Sequence, residues 1–438
     1  MNKNISPWGF IPTLYLAEGF PYIVINAVSV LLYADLGLPN DKIAFWTGWL
    51  YLPWILKMFW SPLVDSRSTK RRWLLAAQTA LAGIFLFIAG VLAFQAFMHA
   101  QQSGLQTVFT LTLFGFLFGA FASATQDIAI DGYYLLALTP NDQSRFVGIR
   151  TIFYRLAMIL GSGVFISATG ALAERGFMGK PYNWVCLFGF LGVLFLIFSI
   201  LHARLLPVPQ DDKPAATTQG RAWKEAFATY FTQQNILYIL LFILIYRFGE
   251  ALLEKIVPLF LLKPAAEGAL GLSMQSYGLI KGTLGLGGII AGNLLGGWLL
   301  GKYGFKKCIW PFACSLVLPN FFYVYLAAVK PGLVTVAALI TLENFGYGLA
   351  MMALTVFIMY VSQGAYKTSH YAISTGIMAL GMMVPSMLSG KMQMALGYEL
   401  FFWVTALISL LSFAVVPLCA KIKTLEETEQ RFKQNKPE

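Results

Sequence analysis

Apolar runs of about 20 residues recur from one end of this 438-residue chain to the other. Each run is long enough to cross a hydrocarbon core of roughly 30 Å as an α-helix. Only 12% of the residues are charged, against roughly 25% in a soluble domain, and no soluble core of this size could bury so many runs. The pattern predicts an all-α membrane protein that crosses the bilayer repeatedly.

The apolar runs and turn signals divide the chain into twelve predicted transmembrane helices, six on each side of the hydrophilic stretch Pro207 to Gln234. They lie near 8–34, 43–65, 73–97, 105–137, 144–172, 184–205, 235–262, 274–301, 307–328, 333–361, 367–395 and 398–421. We therefore predict an N-terminal six-helix bundle at 1–206, a cytoplasmic linker at 207–234, a C-terminal six-helix bundle at 235–422 and a cytoplasmic tail at 423–438. The first run lacks a small-residue cleavage site, so we expect a retained helix and not a signal peptide.

The net charge of +11 comes from basic residues in short loops between the predicted helices. Basic residues in such loops set the orientation of the helices in the membrane and contact anionic lipid head groups. We therefore expect a lipid bilayer and not a nucleic acid as the partner. With the N-terminus inside, the cytoplasmic segments hold 19 lysines and arginines, and the outside loops hold five. We therefore expect both termini to be cytoplasmic.

A short basic pattern occurs twice, once after the second helix and once after the eighth. "SPLVDSRSTKRR" and "GWLLGKYGFKK" align at an offset of 236 residues, with Gly301 opposite the aspartate of the first copy. The pair resembles the cytoplasmic loop signature of the major facilitator superfamily. That resemblance implies two pseudo-symmetric six-helix bundles that rock about a midplane site. The corresponding gating-loop candidates are Asp65, Lys70, Arg71, Lys302, Lys306 and Lys307.

Ionisable residues inside the predicted helices are the main functional signal. They are costly in lipid, so they normally face a cavity and find partners. Pairs of opposite charge inside a bundle can also serve only to hold helices together. The number of these residues and the balance of positive and negative charges favour a polar transport pathway. The list is Glu18, Lys57, Asp127, Asp131, Arg150, Arg155, Arg247, Glu250, Glu254, Lys255, Lys281, Glu343 and Lys391.

Depth along the helices suggests which charges meet, at 1.5 Å of rise per residue. Glu18 and Lys57 approach the midplane from opposite sides, where a Glu–Lys pair is expected. Arg247 and Glu343 also fall near the midplane.

Asp127 and Asp131 lie in the cytoplasmic half of the fourth helix, one turn apart. Arg150 and Arg155 rise from the cytoplasmic end of the fifth helix. We therefore expect Asp127 to lie within reach of Arg150 or Arg155.

Several segments narrow the superfamily, among them "LKMFWSPLVDS", "ATQDIAIDGYY", "LIYRFGEAL" and "LENFGYGLAMMALTVFIMYVS". The chain resembles AmpG-type permeases, the importers of anhydromuropeptides, and their acetyl-coenzyme A transporter relatives. The resemblance implies proton-driven uptake of cell-wall sugar–peptides into the cytoplasm. We expect the permease to be a monomer in a bacterial inner membrane. The resemblance falls on Lys57, Gln126, Asp127, Asp131, Arg155, Arg247, Lys281, Glu343 and Asn344, to which charge and depth add Glu18, Arg150 and Glu250.

At the position of Glu18 in "LAEGFP", this sequence resembles siderophore-uptake members of the same broad family more than AmpG-type permeases. A siderophore or an acyl-coenzyme A therefore remains an alternative substrate. A membrane-embedded transferase is disfavoured, because the three histidines are scattered and no Ser–His or HxxxxD pairing appears. We expect no catalytic residue, and the four cysteines have no metal-binding spacing. The six-plus-six repeat disfavours a channel, because it is typical of alternating access. A receptor that senses a ligand without transporting it remains an alternative.

No GxxxxGK[ST] loop exists, so this chain is not expected to hydrolyse ATP. Uphill transport then requires an ion gradient, and no cofactor is expected beyond the coupling ion. Buried carboxylates make the proton the favoured ion, with Glu18, Asp127 and Glu343 as candidate carriers and sodium as the alternative.

Overall fold

The computed structural model describes residues 6–97, 104–175, 181–210, 212–214, 219–362 and 367–422, and the cytoplasmic tail predicted at 423–438 lies outside them. These residues form helices and connecting turns, with no β-strand among them. The first nine helices are α1 (Ile11–Ile23), α2 (Ser29–Asp35), α3 (Asn40–Gly48), α4 (Leu52–Arg67), α5 (Lys70–Phe97), α6 (Leu105–Ala137), α7 (Pro140–Ile159), α8 (Phe165–Glu174) and α9 (Tyr182–Leu205).

The next ten are α10 (Gln219–Phe231), α11 (Ile236–Ile245), α12 (Phe248–Leu262), α13 (Met274–Tyr277), α14 (Leu286–Tyr303), α15 (Phe305–Val317), α16 (Asn320–Val329), α17 (Leu333–Val361), α18 (Lys367–Ser409) and α19 (Leu411–Val415). Helix α10 lies in the stretch predicted as a linker. Its Tyr230 hydroxyl lies 2.8 Å from the Ser374 hydroxyl of α18.

Ten helical segments in the described parts of the chain are long and apolar enough to cross a membrane. The predicted second helix corresponds to α3 and α4, joined by the short turn Trp49–Tyr51. The last segment, Ser369–Lys421, runs through Gly397, whose φ of 73° is left-handed and divides it into two helices. The observed helices are therefore consistent with the twelve predicted.

The chain forms two compact units. Unit 1 comprises Met1–Leu38, Trp49–Thr217 and Ser273–Thr283, and unit 2 comprises Pro39–Gly48, Thr218–Leu272 and Leu284–Glu438. Helix α3 thus groups with α18 in unit 2, and α13 groups with α8 in unit 1. In unit 2, the Asn40 side chain of α3 donates to Gln393 Oε1 at 2.7 Å and to the Tyr398 hydroxyl at 2.8 Å.

Three spans in the described parts of the chain contain a π-helical segment, where the hydrogen-bond ladder widens by one residue. These segments are Val24–Val28, Leu160–Val164 and Gly278–Gly285. The first follows Pro21, which lacks an N–H and so interrupts the regular ladder of α1. Such bulges are frequent at functional sites, and this one lies about two turns from Glu18.

Glycines allow α14 and α17 to pack with their backbones nearly in contact. A Cβ atom at Gly292 would lie 2.1 Å from the Phe345 carbonyl oxygen, and one at Gly348 would lie 2.4 Å from the Ile289 carbonyl oxygen. Both distances are below van der Waals contact, so only glycine fits without a shift of one helix. In lipid there is no hydrophobic driving force between helices, so the van der Waals contacts of this close crossing stabilise the association of α14 with α17.

Gly292→Ala is expected to lower the free energy of unfolding by about 1–3 kcal/mol, because the added methyl group forces α14 away from α17. Gly287→Ala on the same helix is the matched control, since a Cβ atom there meets nothing within 4 Å. Thermal unfolding in detergent should show a lower melting temperature for Gly292→Ala and an unchanged one for Gly287→Ala. Equal melting temperatures would contradict the tight crossing.

Candidate functional site

The first cluster of charges in unit 1 joins α1, α4 and α6. The Lys57 ammonium on α4 donates a hydrogen bond to Asp127 Oδ2 on α6. Glu18 on α1 is 9% exposed, and its carboxyl group lies close to the Asp127 carboxyl group. Gln126, fully buried, donates to the Ala17 carbonyl oxygen at 2.7 Å and so fixes α6 against α1. Two carboxyl groups and one ammonium group therefore meet inside the bundle of unit 1.

A second cluster lies one turn further along α6. The Arg150 Nη1 of α7 donates to Asp131 Oδ1 at 3.2 Å and to the Tyr15 hydroxyl oxygen at 3.1 Å. Its guanidinium group also lies over two rings, 5.5 Å from the centroid of Tyr15 and 4.9 Å from that of Tyr134. Aromatic faces attract a cation at this distance. Arg150 is thus held by a carboxylate, a hydroxyl group and two rings.

The contacts differ from the predicted pairing. The Lys57 ammonium group bonds to Asp127, with Glu18 close by, and Arg150, one of the two arginines expected at Asp127, bonds to Asp131. The reason is direction around the helix, because α4 packs against α6 and brings Lys57 to the face of Asp127. Arg155, the other predicted partner, lies half-buried further along α7.

In unit 2, a buried cation lies at a break between two helices. Arg247 is the residue between α11 and α12, with a non-helical φ of −116° and ψ of 19°. Its guanidinium group donates to the Tyr347 hydroxyl group and lies 5.0 Å from the centroid of that ring. Because Arg247 is 7% exposed, its charge depends on these contacts for stabilisation.

A buried acid lies on α17, one turn before Tyr347. Glu343 Oε2 accepts hydrogen bonds from the Tyr323 hydroxyl group at 2.9 Å and from Asn344 Nδ2 at 2.8 Å. Asn344 Nδ2 also donates to the Ile340 carbonyl oxygen at 2.7 Å. Glu250, in the first turn of α12, is buried as well. Unit 2 therefore carries a polar group of its own, built on α12, α16 and α17.

Sequence reasoning missed two tyrosines that bond to the predicted charges. Tyr15 precedes Glu18 by three residues on α1, so its position on the same helix face was an available signal. Tyr323 lies in the apolar stretch "NFFYVYLAAV", where nothing in the pattern distinguishes it from a packing aromatic.

Two further lysines among the predicted charges differ in exposure. Lys281 is half-buried in the π-helical segment of unit 1, and Lys391 is exposed on α18. Within the described ranges, no group of three or more His, Cys, Asp or Glu side chains is placed to bind a metal ion.

The first basic loop contacts the chain that follows α9. The backbone N–H groups of Lys70 and Arg71 donate to the Asp212 carboxylate at 2.6 and 3.1 Å. The Arg71 guanidinium group donates to the carbonyl oxygens of Ala203 and Leu206 at 2.5 and 3.3 Å. The sequence analysis did not single out Asp212. It accepts from the first N–H groups of α5, which have no acceptor inside the helix.

The other gating-loop candidates lie at the surface of unit 2. Lys302, Lys306 and Lys307 are exposed, and the Lys302 ammonium group lies 4.8 Å from the ring centroid of Trp298 and 5.3 Å from that of Tyr303. Asp65 belongs to α4, and its side chain lies outside the part of the chain that the structure describes.

The Lys57–Asp127 bond can be tested by stability. Lys57→Gln leaves the Asp127 carboxylate without its cation and is expected to cost about 2 kcal/mol, the range for a hydrogen bond to a charged group. The double variant Lys57→Gln/Asp127→Asn, which removes both charges, should recover part of this loss. Melting temperatures in detergent measure it. The single variant Asp127→Asn completes the comparison. If the double variant loses more stability than the two single variants lose together, the pair is not stabilising.

Comparison with known proteins places this geometry in a family. Residues 13–369 match the family model of the Major Facilitator Superfamily. The anhydromuropeptide permease of Escherichia coli (strain K12) is 25% identical over 380 residues, which cover 86% of this chain and 72% of that protein. The putative transporter AmpG 4 of Rickettsia conorii is 22% identical over 411 residues, covering 91% and 92%.

Solved structures of transporters share the fold. A mutant of the nucleoside transporter NupG superposes with a TM-score of 0.70 at 14% sequence identity, covering 93% of this chain and 98% of that one. The D-xylose–proton symporter superposes with a TM-score of 0.66 at 14% identity, covering 93% and 95%. The helical fold, its buried charges and the match over most of its length agree: the chain belongs to the Major Facilitator Superfamily and is an integral membrane transporter.

Proposed function

We propose that this transporter imports an anionic sugar–peptide of the anhydromuropeptide type by alternating access, and that protons drive the uptake. The observation that carries the proposal is the meeting of Glu18, Asp127 and Lys57 inside unit 1. Support for the substrate comes from the name of the Escherichia coli relative, an anhydromuropeptide permease. The basic cytoplasmic loops support the accompanying proposal that both termini lie in the cytoplasm.

The coupling argument rests on how two carboxyl groups share a site. Two ionised carboxylates side by side inside the bundle repel each other, so a proton on one of them is favoured. The Lys57 ammonium group bonds to Asp127 and favours its ionised form, so we assign the proton to Glu18. Loss of that proton leaves two negative charges beside one positive charge. We propose that this imbalance links proton release to the change of state.

The substrate argument rests on complementary chemistry. Arg247 is a buried guanidinium group with one N–H pair directed at Tyr347, and guanidinium groups bind carboxylates with two parallel hydrogen bonds. Tyr347, which is half-buried, adds a ring face and a hydroxyl group, which suit the apolar and polar faces of a sugar. A muropeptide combines carboxylates with sugar rings, so each of its parts has a match. Lys57 and Arg155 are the corresponding cations in unit 1.

Glu18→Gln is expected to abolish accumulation driven by a pH gradient while substrate exchange across the membrane continues. The amide keeps the size and hydrogen-bonding capacity of the side chain but cannot release a proton. The measurement is uptake of labelled anhydromuropeptide into proteoliposomes, with and without an imposed gradient. Glu174→Gln at the exposed end of α8 is the control and should behave as wild type.

Undiminished accumulation by Glu18→Gln would place the proton carrier elsewhere. Uptake that survives collapse of the pH gradient but stops without sodium would reject proton coupling. Uptake of a labelled siderophore or acyl-coenzyme A, with no uptake of the labelled muropeptide, would assign one of the alternative substrates.

Arg247→Lys is expected to raise the KM for the muropeptide about tenfold, a change of about 1.4 kcal/mol in binding, because lysine keeps the charge and loses the paired hydrogen bonds. Lys391→Arg on the exposed face of α18 is a control for a change of cation type and should leave KM unaltered. Initial rates over a range of substrate concentrations measure both. An unchanged KM for Arg247→Lys would remove this residue from the substrate site.

A further inference from the structure

Asn320, the first residue of α16, has an unusual environment. It is 1% exposed, and among the described residues neither its Nδ2 nor its Oδ1 has a hydrogen-bond partner. Buried amides are almost always paired, with protein or with ordered water. An asparagine with both polar atoms unpaired therefore indicates a missing partner.

The amide of Asn320 lies against the start of α12. A Cβ atom at Gly249 would lie 3.3 Å from Asn320 Nδ2 and 2.5 Å from the Ser409 Cβ of α18, so three helices meet closely here. The first N–H groups of a helix have no acceptor inside it, and the cap residue Arg247 makes no side-chain capping bond. The Asn320 amide thus lies beside the start of α12, where the cap residue supplies no side-chain acceptor.

Three interruptions of the backbone coincide at this point in unit 2. Helix α12 starts after the break at Arg247, α16 starts after Pro319, and α18 ends at Ser409. Across the same junction, the Ser412 hydroxyl group donates to the Tyr246 carbonyl oxygen at 2.8 Å. One side-chain bond to a freed carbonyl group is therefore already present on the Tyr246 side, and Asn320 lies near Gly249 in the first turn of α12.

We propose that one or two internal water molecules bind between Asn320 and the first turn of α12. Water both donates and accepts, so it satisfies the Asn320 amide nitrogen and oxygen together. A metal cation would leave Nδ2 without an acceptor and would lie near the Arg247 cation. An anion would leave Oδ1 without a donor and would face the neighbouring Glu250 carboxyl group.

The bound water gives the break a function. It replaces backbone hydrogen bonds that a continuous helix would make, so the chain stays unwound at Arg247. The guanidinium group can then remain beside Tyr347 and does not follow the helical path from α11. The inference concerns the internal hydration of unit 2 and does not depend on the identity of the substrate.

The experiment compares two substitutions by thermal unfolding of the full-length protein in lipid nanodiscs. Asn320→Ser leaves space and polar atoms for water, so it should melt within about 1 °C of wild type. Asn320→Leu displaces the water and leaves the first turn of α12 without acceptors, so it should melt several degrees lower. A dry, unsatisfied amide predicts the reverse, because leucine would then remove an unpaired polar group at little cost.

Asn40 is the matched control, because it is also a buried asparagine at the first position of a helix, and it bonds directly to Gln393 and Tyr398. Asn40→Ser should lower the melting temperature, since no water replaces those direct bonds. A density map of the wild-type protein that resolves water should show a peak about 2.6–3.2 Å from the Asn320 amide. An Asn320→Leu variant as stable as Asn320→Ser, or a map with no peak there, overturns the proposal.

Discussion

The bond between Lys57 and Asp127 is the interaction on which the arrangement of unit 1 depends. A bilayer core offers no water to solvate an ammonium group or a carboxylate, so each charge must find its compensation within the protein. Lys57 brings α4 to α6, and Glu18 brings α1 to the same point. Three helices are thus held by charges that would be expensive to separate. The imbalance of two acids against one base also leaves a place for a proton.

Irregular backbone is the second constraint, and it too follows from the solvent. A membrane helix can break only where other groups satisfy its freed N–H and C=O groups. The break at Arg247 meets this condition through the Ser412 bond to Tyr246 and the hydration proposed at Asn320. The result is a buried guanidinium group beside Tyr347, positioned by backbone geometry as well as by its own hydrogen bond.

Much of the fold could be predicted from the sequence because the bilayer makes hydropathy decisive. The apolar runs predicted the helices. Depth along each helix placed Glu18 and Lys57 together near the midplane and Asp127 in the cytoplasmic half of its helix. Which face each residue occupies depends on how neighbouring helices pack, and so the Lys57–Asp127 pair and the Arg150–Asp131 pair could not be assigned.

Other contacts left no local trace in the sequence. Tyr323 looks like any aromatic in an apolar helix until α16 packs beside α17 and brings its hydroxyl group to Glu343. Asp212 lies in a polar stretch where one acid resembles another, and only the path of the chain after α9 brings it to the start of α5. The position of α3 in unit 2 likewise depends on bonds between residues more than 350 positions apart.

The most direct test of the account is the internal pH of proteoliposomes during uptake of anhydromuropeptide, recorded with a trapped pH-sensitive dye and no imposed gradient. Each transported molecule should bring protons with it, so the wild-type protein should acidify the interior as substrate enters. The Glu18→Gln variant should move substrate without that acidification. Substrate entry with no pH change in the wild type, or the same acidification in both proteins, would contradict proton coupling at Glu18.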